Sequence, residues 1–271
     1  MRNEASLKRG QMGLWQALRL PARLGLWALV ACSFPLLGCS SKPAAAPVIE
    51  ATLVGTGTIG GRVTLEGTPP EEQKLPLDAV CTTSSEASGM EQPRFTRTYV
   101  TKDGGLGDVL VTLVDVPPQP IPAGTGPLVV DQHGCEYHPY VAACQVGQTI
   151  HVTNLDPLMH NIHTLPKAAG NKEVNKSQAA EAKPLEFTYD KPEEFLQFKC
   201  DVHPWMFSYV SIVDHPFYAV TSEDGRFEIK GLPDGTYKVK FKHRKAGEKI
   251  EEVEIKDGQA TVDVVLSVPA A

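Results

Sequence analysis

Residues 195–206 read Phe-Leu-Gln-Phe-Lys-Cys-Asp-Val-His-Pro-Trp-Met, and the rest of the chain is understood most easily from them. Residues 195–199 have the aromatic and aliphatic content of a short strand. Cys200 ends that strand, and a tight loop of a few residues can aim Cys200, His203 and Met206 at one ion. Forty positions upstream, Met159-His160-Asn161 offers a second imidazole, from the loop that follows an expected strand at 149–154. A thiolate, two imidazoles and a thioether are the ligand set of a blue-copper centre, three strong in-plane donors with a weak axial Met. Soft sulfur donors disfavour hard cations such as Mg²⁺ and Ca²⁺, whereas zinc also fits a tetrahedral N/S set. The expected ligands are therefore His160, Cys200, His203 and Met206, around one mononuclear copper.

Working outward, the chain reads as strands and turns. Alternating apolar positions predict a strand at 57–65, and further strands are expected at 95–100, 109–114, 140–145, 185–189 and 209–213. Residues 68–94, with Cys81, read as an irregular loop. Residues 165–184 read as a polar excursion without an apolar stripe. After His215-Pro216 a compact series follows, with strands expected at 217–220, 226–230, 237–242, 250–255 and 261–266, separated by turns such as Asp224-Gly225 and Asp257-Gly258. Short strands joined by glycine-containing turns indicate an all-β sandwich class. Charge changes along the chain too: 55–214 holds 11 bases and 20 acids, 215–271 holds 9 and 10. A larger β-domain at 55–214 and a smaller C-terminal β-sandwich module at 215–271 are the expected division.

The N-terminus reads as an address. Arg19 and Arg23 precede an apolar run at 24–37, too short and too proline-interrupted for a comfortable membrane span. Leu36-Leu37-Gly38-Cys39 resembles a bacterial lipoprotein lipobox, which implies a signal peptide at 1–38, lipidation of Cys39 and a small, Pro/Ala-rich tether at 39–54. The expected product is exported and anchored by lipid to a bacterial membrane, facing the periplasm or the cell surface. Without residues 1–38, 21 basic and 31 acidic residues remain, a net charge of −10. That excludes the basic footprint of a nucleic-acid binder.

The Cys200-x-x-His203-x-x-Met206 loop, with Pro204 after the histidine, resembles the cupredoxins and most of all their amicyanin-type members; Leu158-Met159-His160-Asn161 resembles their first-ligand motif. The resemblance covers about residues 140–213. It implies a Greek-key β-sandwich, copper on His160, Cys200, His203 and Met206, and an Asn161 side chain that ties the two ligand loops together. It also implies one-electron transfer rather than enzymatic turnover. The partner expected is a redox protein such as a c-type cytochrome, met at an apolar patch of Leu158, Met159, Ile162, Pro204, Trp205 and Phe207 near a surface-lying His203. Residues 215–271, with Leu232-Pro233-Asp234-Gly235-Thr236-Tyr237, resemble carboxypeptidase regulatory-like β-modules, which are structural or binding units. A copper carrier or store with the same ligands, and a surface scaffold acting through 215–271, are the alternative functions.

Three more cysteines, Cys81, Cys135 and Cys144, allow one disulfide and leave one thiol in an oxidising compartment. The sequence does not fix the pairing; Cys81 with Cys135 is preferred because Cys144 falls in an expected strand. His163 is expected to be a neighbour rather than a ligand, and His133, His138 and His151 ordinary histidines. Asp201 and Glu193-Glu194 read as a solvated face.

Overall fold

A computed structural model describes residues 53–270; the signal segment, Cys39 and nearly all of the tether lie outside the described residues. The all-β expectation is met: strands form four sheets, and these enclose two hydrophobic cores.

The first sandwich pairs a five-stranded sheet with a four-stranded one. The larger runs Val174–Gln178, His160–Leu165, Glu193–Lys199, Phe207–Val213, Val141–Gln145 in spatial order. The smaller runs Leu185–Phe187, Ile150–Asn154, Leu128–His133, Glu136–His138. Its core takes every second residue of its strands: Ile150 and Val152, Leu196 and Phe198, Val210 and Ile212 are all buried. Burying each such side chain is worth about 1.5–3 kcal/mol, so this period-two pattern fixes which face points inward. The register of the strand Glu193–Lys199 shifts between Glu193 and Leu196, where Phe195 adopts φ 53° and its N–H donates to Ser211 Oγ. Beyond that bulge Leu196, Phe198 and Cys200 all face the core, which is how Cys200, an expected ligand, comes to point inward.

The second sandwich departs from the expected division at 214/215. Its first sheet is built on Gly57–Glu66, which pairs antiparallel with Arg226–Leu232 and parallel with Gln259–Ser267. In its second sheet Leu110–Val114 lies between Tyr218–Val220 and Gly235–His243, and Gly247–Ile255 follows at the edge. The C-terminal strands thus have gaps that only N-terminal strands fill. Ile59, Val63, Val111, Phe227, Val239, Phe241 and Val264 share one core across both stretches. Gly225, in the expected Asp224-Gly225 turn, has φ +82°, and a Cβ there would meet Val63 O at 2.0 Å; the turn is tight because it abuts the central strand.

Four other features differ from expectation. Residues 79–87 within the expected loop form a helix, Ala79–Ala87, capped by Asp78, whose carboxylate accepts from Cys81 N–H at 2.7 Å. Its buried side chains are Cys81, Ser84 and Ser85, so no apolar stripe announces it. Residues 95–100 form no strand; Phe95 makes only an isolated bridge to Lys74. The polar excursion holds an edge strand, Val174–Gln178, whose outward polarity suits an exposed sheet edge. Glu193 is not solvated: it is buried, and accepts from the backbone N–H groups of Lys167 and Ala168.

Candidate metal centre

The strands bring three of the four expected ligands together at one end of the first sandwich. His160 opens the strand His160–Leu165, Cys200 follows Glu193–Lys199, and the loop returns through His203 and Met206 into Phe207–Val213. Two backbone hydrogen bonds close that loop, Met206 N–H to His203 O at 2.9 Å and Cys200 N–H to Met206 O at 3.2 Å. Nδ1 of His160 lies 2.9 Å from Nδ1 of His203, and Cys200 Sγ lies 3.7 Å from the same His203 nitrogen. One donor atom from each of the three falls within 4.8 Å of the others, and all three residues are buried. Met206 is buried too and packs in the same core as Cys200.

Two of the expected ligands, His160 and Cys200, are held from behind. Asp156 is buried and accepts four hydrogen bonds, from His160 Nε2 at 2.8 Å, Ser84 Oγ at 2.7 Å, Gly134 N–H at 2.6 Å and Cys135 N–H at 2.8 Å. Burial alone would raise its pKa; those donors outweigh it and hold the carboxyl at about 2. The same contact lifts His160, against the burial that would lower it. With Nε2 committed to Asp156, Nδ1 is the nitrogen that His160 presents to the centre. Asn161 Oδ1 accepts from Cys200 Sγ at 3.2 Å and from Asp201 N–H at 2.7 Å, so its amide ties the two ligand segments together. Tyr137 bridges the same two segments, its hydroxyl donating toward Asn161 O at 2.6 Å and lying 3.3 Å from Lys199 O.

Burial disfavours the Cys200 thiolate, but hydrogen bonds from His160 and from nearby backbone N–H groups outweigh it and lower the thiol pKa. Burial, reinforced by the neighbouring His160, lowers that of His203. Both shifts run the same way, easing loss of the Cys200 proton and keeping a proton off His203, in a buried pocket. Such a donor set fits a soft or borderline cation, copper or zinc, and not a hard one.

His203 does not lie at the surface. It is 5 % exposed, its ring centroid is 5.3 Å from that of Trp205, and one of its nitrogens lies within 4.8 Å of the sulfurs of Cys81 and Cys135. Those two cysteines are joined as a disulfide, and Cys144 is a buried free thiol. The helix Ala79–Ala87 and its disulfide therefore stand over the histidine edge that was expected to be open. Of the expected contact patch, Ile162 is fully buried and Met159 exposed; Val202 and Leu155 are exposed beside the ligands.

His163 faces away from the donor set, its Nδ1 2.9 Å from Asp201 and its Nε2 2.8 Å from Glu173. Asp201 is no idle surface acid: Lys199, His163 and Asn175 all reach it. Asp156, Tyr137 and Ser84 were not found from sequence. Only Asp156 left a signal there, an acid four residues before His160.

No family model and no curated relative match the chain. Among solved structures, the Cu-containing nitrite reductase of Thermus scotoductus SA-01 aligns at 21% identity and a TM-score of 0.29, over 35% of this chain and 25% of that one. A methionine-to-alanine mutant of amicyanin in the Cu(I) form aligns at 19% identity and a TM-score of 0.29, over 38% of this chain and 97% of that one. The chain spans only about a quarter of the reductase's length. At these values the likeness says nothing of what this chain binds.

Proposed function

We propose that this chain is a copper protein that carries one electron at a time, with His160, Cys200, His203 and Met206 as ligands. The observation that carries the reading is the convergence of the His160 and His203 Nδ1 atoms, 2.9 Å apart, beside the Cys200 sulfur. Copper held there would supply a one-electron couple. The chain's own part is to keep the donors still and dry. Asp156 fixes the orientation of His160, Asn161 and Tyr137 lock the two ligand segments to each other, and Phe198 and Ile162 pack behind them. A site that cannot relax between two oxidation states exchanges electrons with little rearrangement. The electron partner proposed is a redox protein such as a c-type cytochrome, basic enough to be steered by the −9 charge of residues 55–214. The lipobox at Leu36–Cys39 would keep the protein at an exported membrane face, where such partners work. The test is a visible spectrum of the copper-loaded protein. Intense colour from sulfur-to-copper charge transfer is expected, and Cys200→Ser abolishes it; a wild-type protein that takes up no copper overturns the reading.

A further inference from the structure

Beside the ligand loop, on the face of Trp205 and Met206, lies a cavity of about 330 Å³. Its walls are Leu75, Phe95, Tyr140, Trp205 and Phe207, from segments that meet only in the folded chain. The volume sits at the small end of known small-molecule sites, large enough for one or two rings and too small for a peptide strand. Two walls are fixed in place. Trp205 donates its indole N–H to Cys135 O at 3.1 Å, and Tyr140 is gripped by Arg244, which donates to its hydroxyl at 2.8 Å. Aromatic walls held in this way present ring faces for stacking without a large ordering cost.

Charge selects among apolar ligands. Lys74 and Arg97 line the same cavity, and neither forms an ion pair among the described residues. Arg97 lies over the Tyr140 ring, 5.6 Å from its centroid. The one acid lining the cavity, Glu136, is already engaged by Arg94 through both Nε and Nη2, at 3.1 and 2.6 Å. Asp108 feels the charge of Arg97 but forms no ion pair with it, and burial raises its pKa to about 6.

We propose that this cavity binds a small planar aromatic molecule carrying one negative charge, its ring against Trp205 and its anionic group toward Lys74 and Arg97. The Trp205 ring centroid lies 5.3 Å from that of His203, and Met206 lines the cavity, so an occupant would lie one side chain from His203 and against Met206 itself. Binding itself does not depend on copper; only its effect at the metal rests on the function proposed above.

The test uses the full chain without copper, labelled with nitrogen-15, and 4-hydroxybenzoate as probe. The readout is the indole N–H resonance of Trp205, identified by its loss in Trp205→Phe. A saturable shift is expected, half-complete on the order of 1 mM for a ligand of this size, and about tenfold weaker in Arg97→Gln. Lys74→Gln is the second variant, and cyclohexanecarboxylate and phenol remove the ring and the charge in turn; each should bind more weakly. No saturable shift below about 10 mM overturns the proposal. So does equal binding by the wild type and both charge variants, or by both control ligands. A chain that shifts with 4-hydroxybenzoate but takes up no copper would overturn the copper reading and leave this site standing.

Discussion

Asp156 Oδ2 sits 2.8 Å from Nε2 of His160, at the opposite side of the ring from the nitrogen that faces His203. The same carboxylate takes the Ser84 hydroxyl from the helix Ala79–Ala87 and the N–H of Cys135 from the disulfide. One buried acid therefore orients His160, a proposed metal ligand, and fastens the structure that covers the donor cluster.

Replacing it tests that double role. Asp156→Asn keeps an acceptor for the backbone donors but loses the charge behind the imidazole. Copper affinity is expected to fall by about 10–100-fold, as when other outer partners of ligand histidines are removed. Competition with a chelator of known affinity measures it, and unchanged affinity would show that His160 needs no help.

Residues 215–271 expressed alone are expected not to fold. The fragment lacks Gly57–Glu66, the strand between Arg226–Leu232 and Gln259–Ser267, and Leu110–Val114, the strand between Tyr218–Val220 and Gly235–His243. Two sheets without their central strands bury too little apolar surface to hold together. A dispersed amide proton spectrum from the fragment would contradict the pairing.

The disulfide joins residues 54 positions apart. Loop-closure entropy for a crosslink of that span is worth about 4 kcal/mol, and measured values are commonly 2–4 kcal/mol. Cys81→Ser with Cys135→Ser is expected to lose an amount in that range in denaturant unfolding of the copper-free chain. A loss well under 1 kcal/mol would mean that Ser84–Asp156 and the helix cap already hold the cover in place.

His243 links the second sandwich to pH. Burial, helped by the adjacent Arg244, lowers its pKa from 6.5 to about 4, and its Nδ1 accepts from the backbone N–H of Ala246 at 3.0 Å. A depressed histidine pKa means that the unfolded chain takes up the proton first. The stability it contributes is complete above pH 6.5 and is lost as pH falls toward 4, at most about 3 kcal/mol. Asp108, raised by burial to about 6, works in the opposite direction, so the measurement is the difference between the wild type and His243→Gln. The wild type should lose more stability than the variant between pH 6.5 and 4; parallel curves would exclude His243 as the cause.

The strands with alternating apolar residues were legible from the sequence, and so was the convergence of Cys200, His203 and His160. Leu196, Phe198 and Cys200 obey the same period-two rule, so reading the strand already aimed the cysteine inward. Less local features were hidden. The helix at 79–87 buries Ser84, whose partner, Asp156, lies 72 residues away. The strand Val174–Gln178 is polar because it is an edge. The second sandwich was split wrongly because charge and turn spacing describe neighbours in sequence, while the partners of Gly57–Glu66 arrive about 170 and 200 residues later. His203 looked open because nothing in its own loop reveals that Cys81 and Cys135 stand over it.

The placement of Gly57–Glu66 also sets an order of events. The strands of the first sandwich run from Leu128 to Val213 without interruption, so its nine strands can pair as soon as that stretch is available. The second sandwich must wait for Gln259–Ser267, the last strand described, before its earliest strand has neighbours on both sides. Long-range closures of this kind are slow, and until then an apolar strand with one bare edge is free to pair elsewhere. A chain shortened by a dozen residues at its C-terminus would keep the first sandwich intact and leave the opening strand of the second as a nucleus for aggregation.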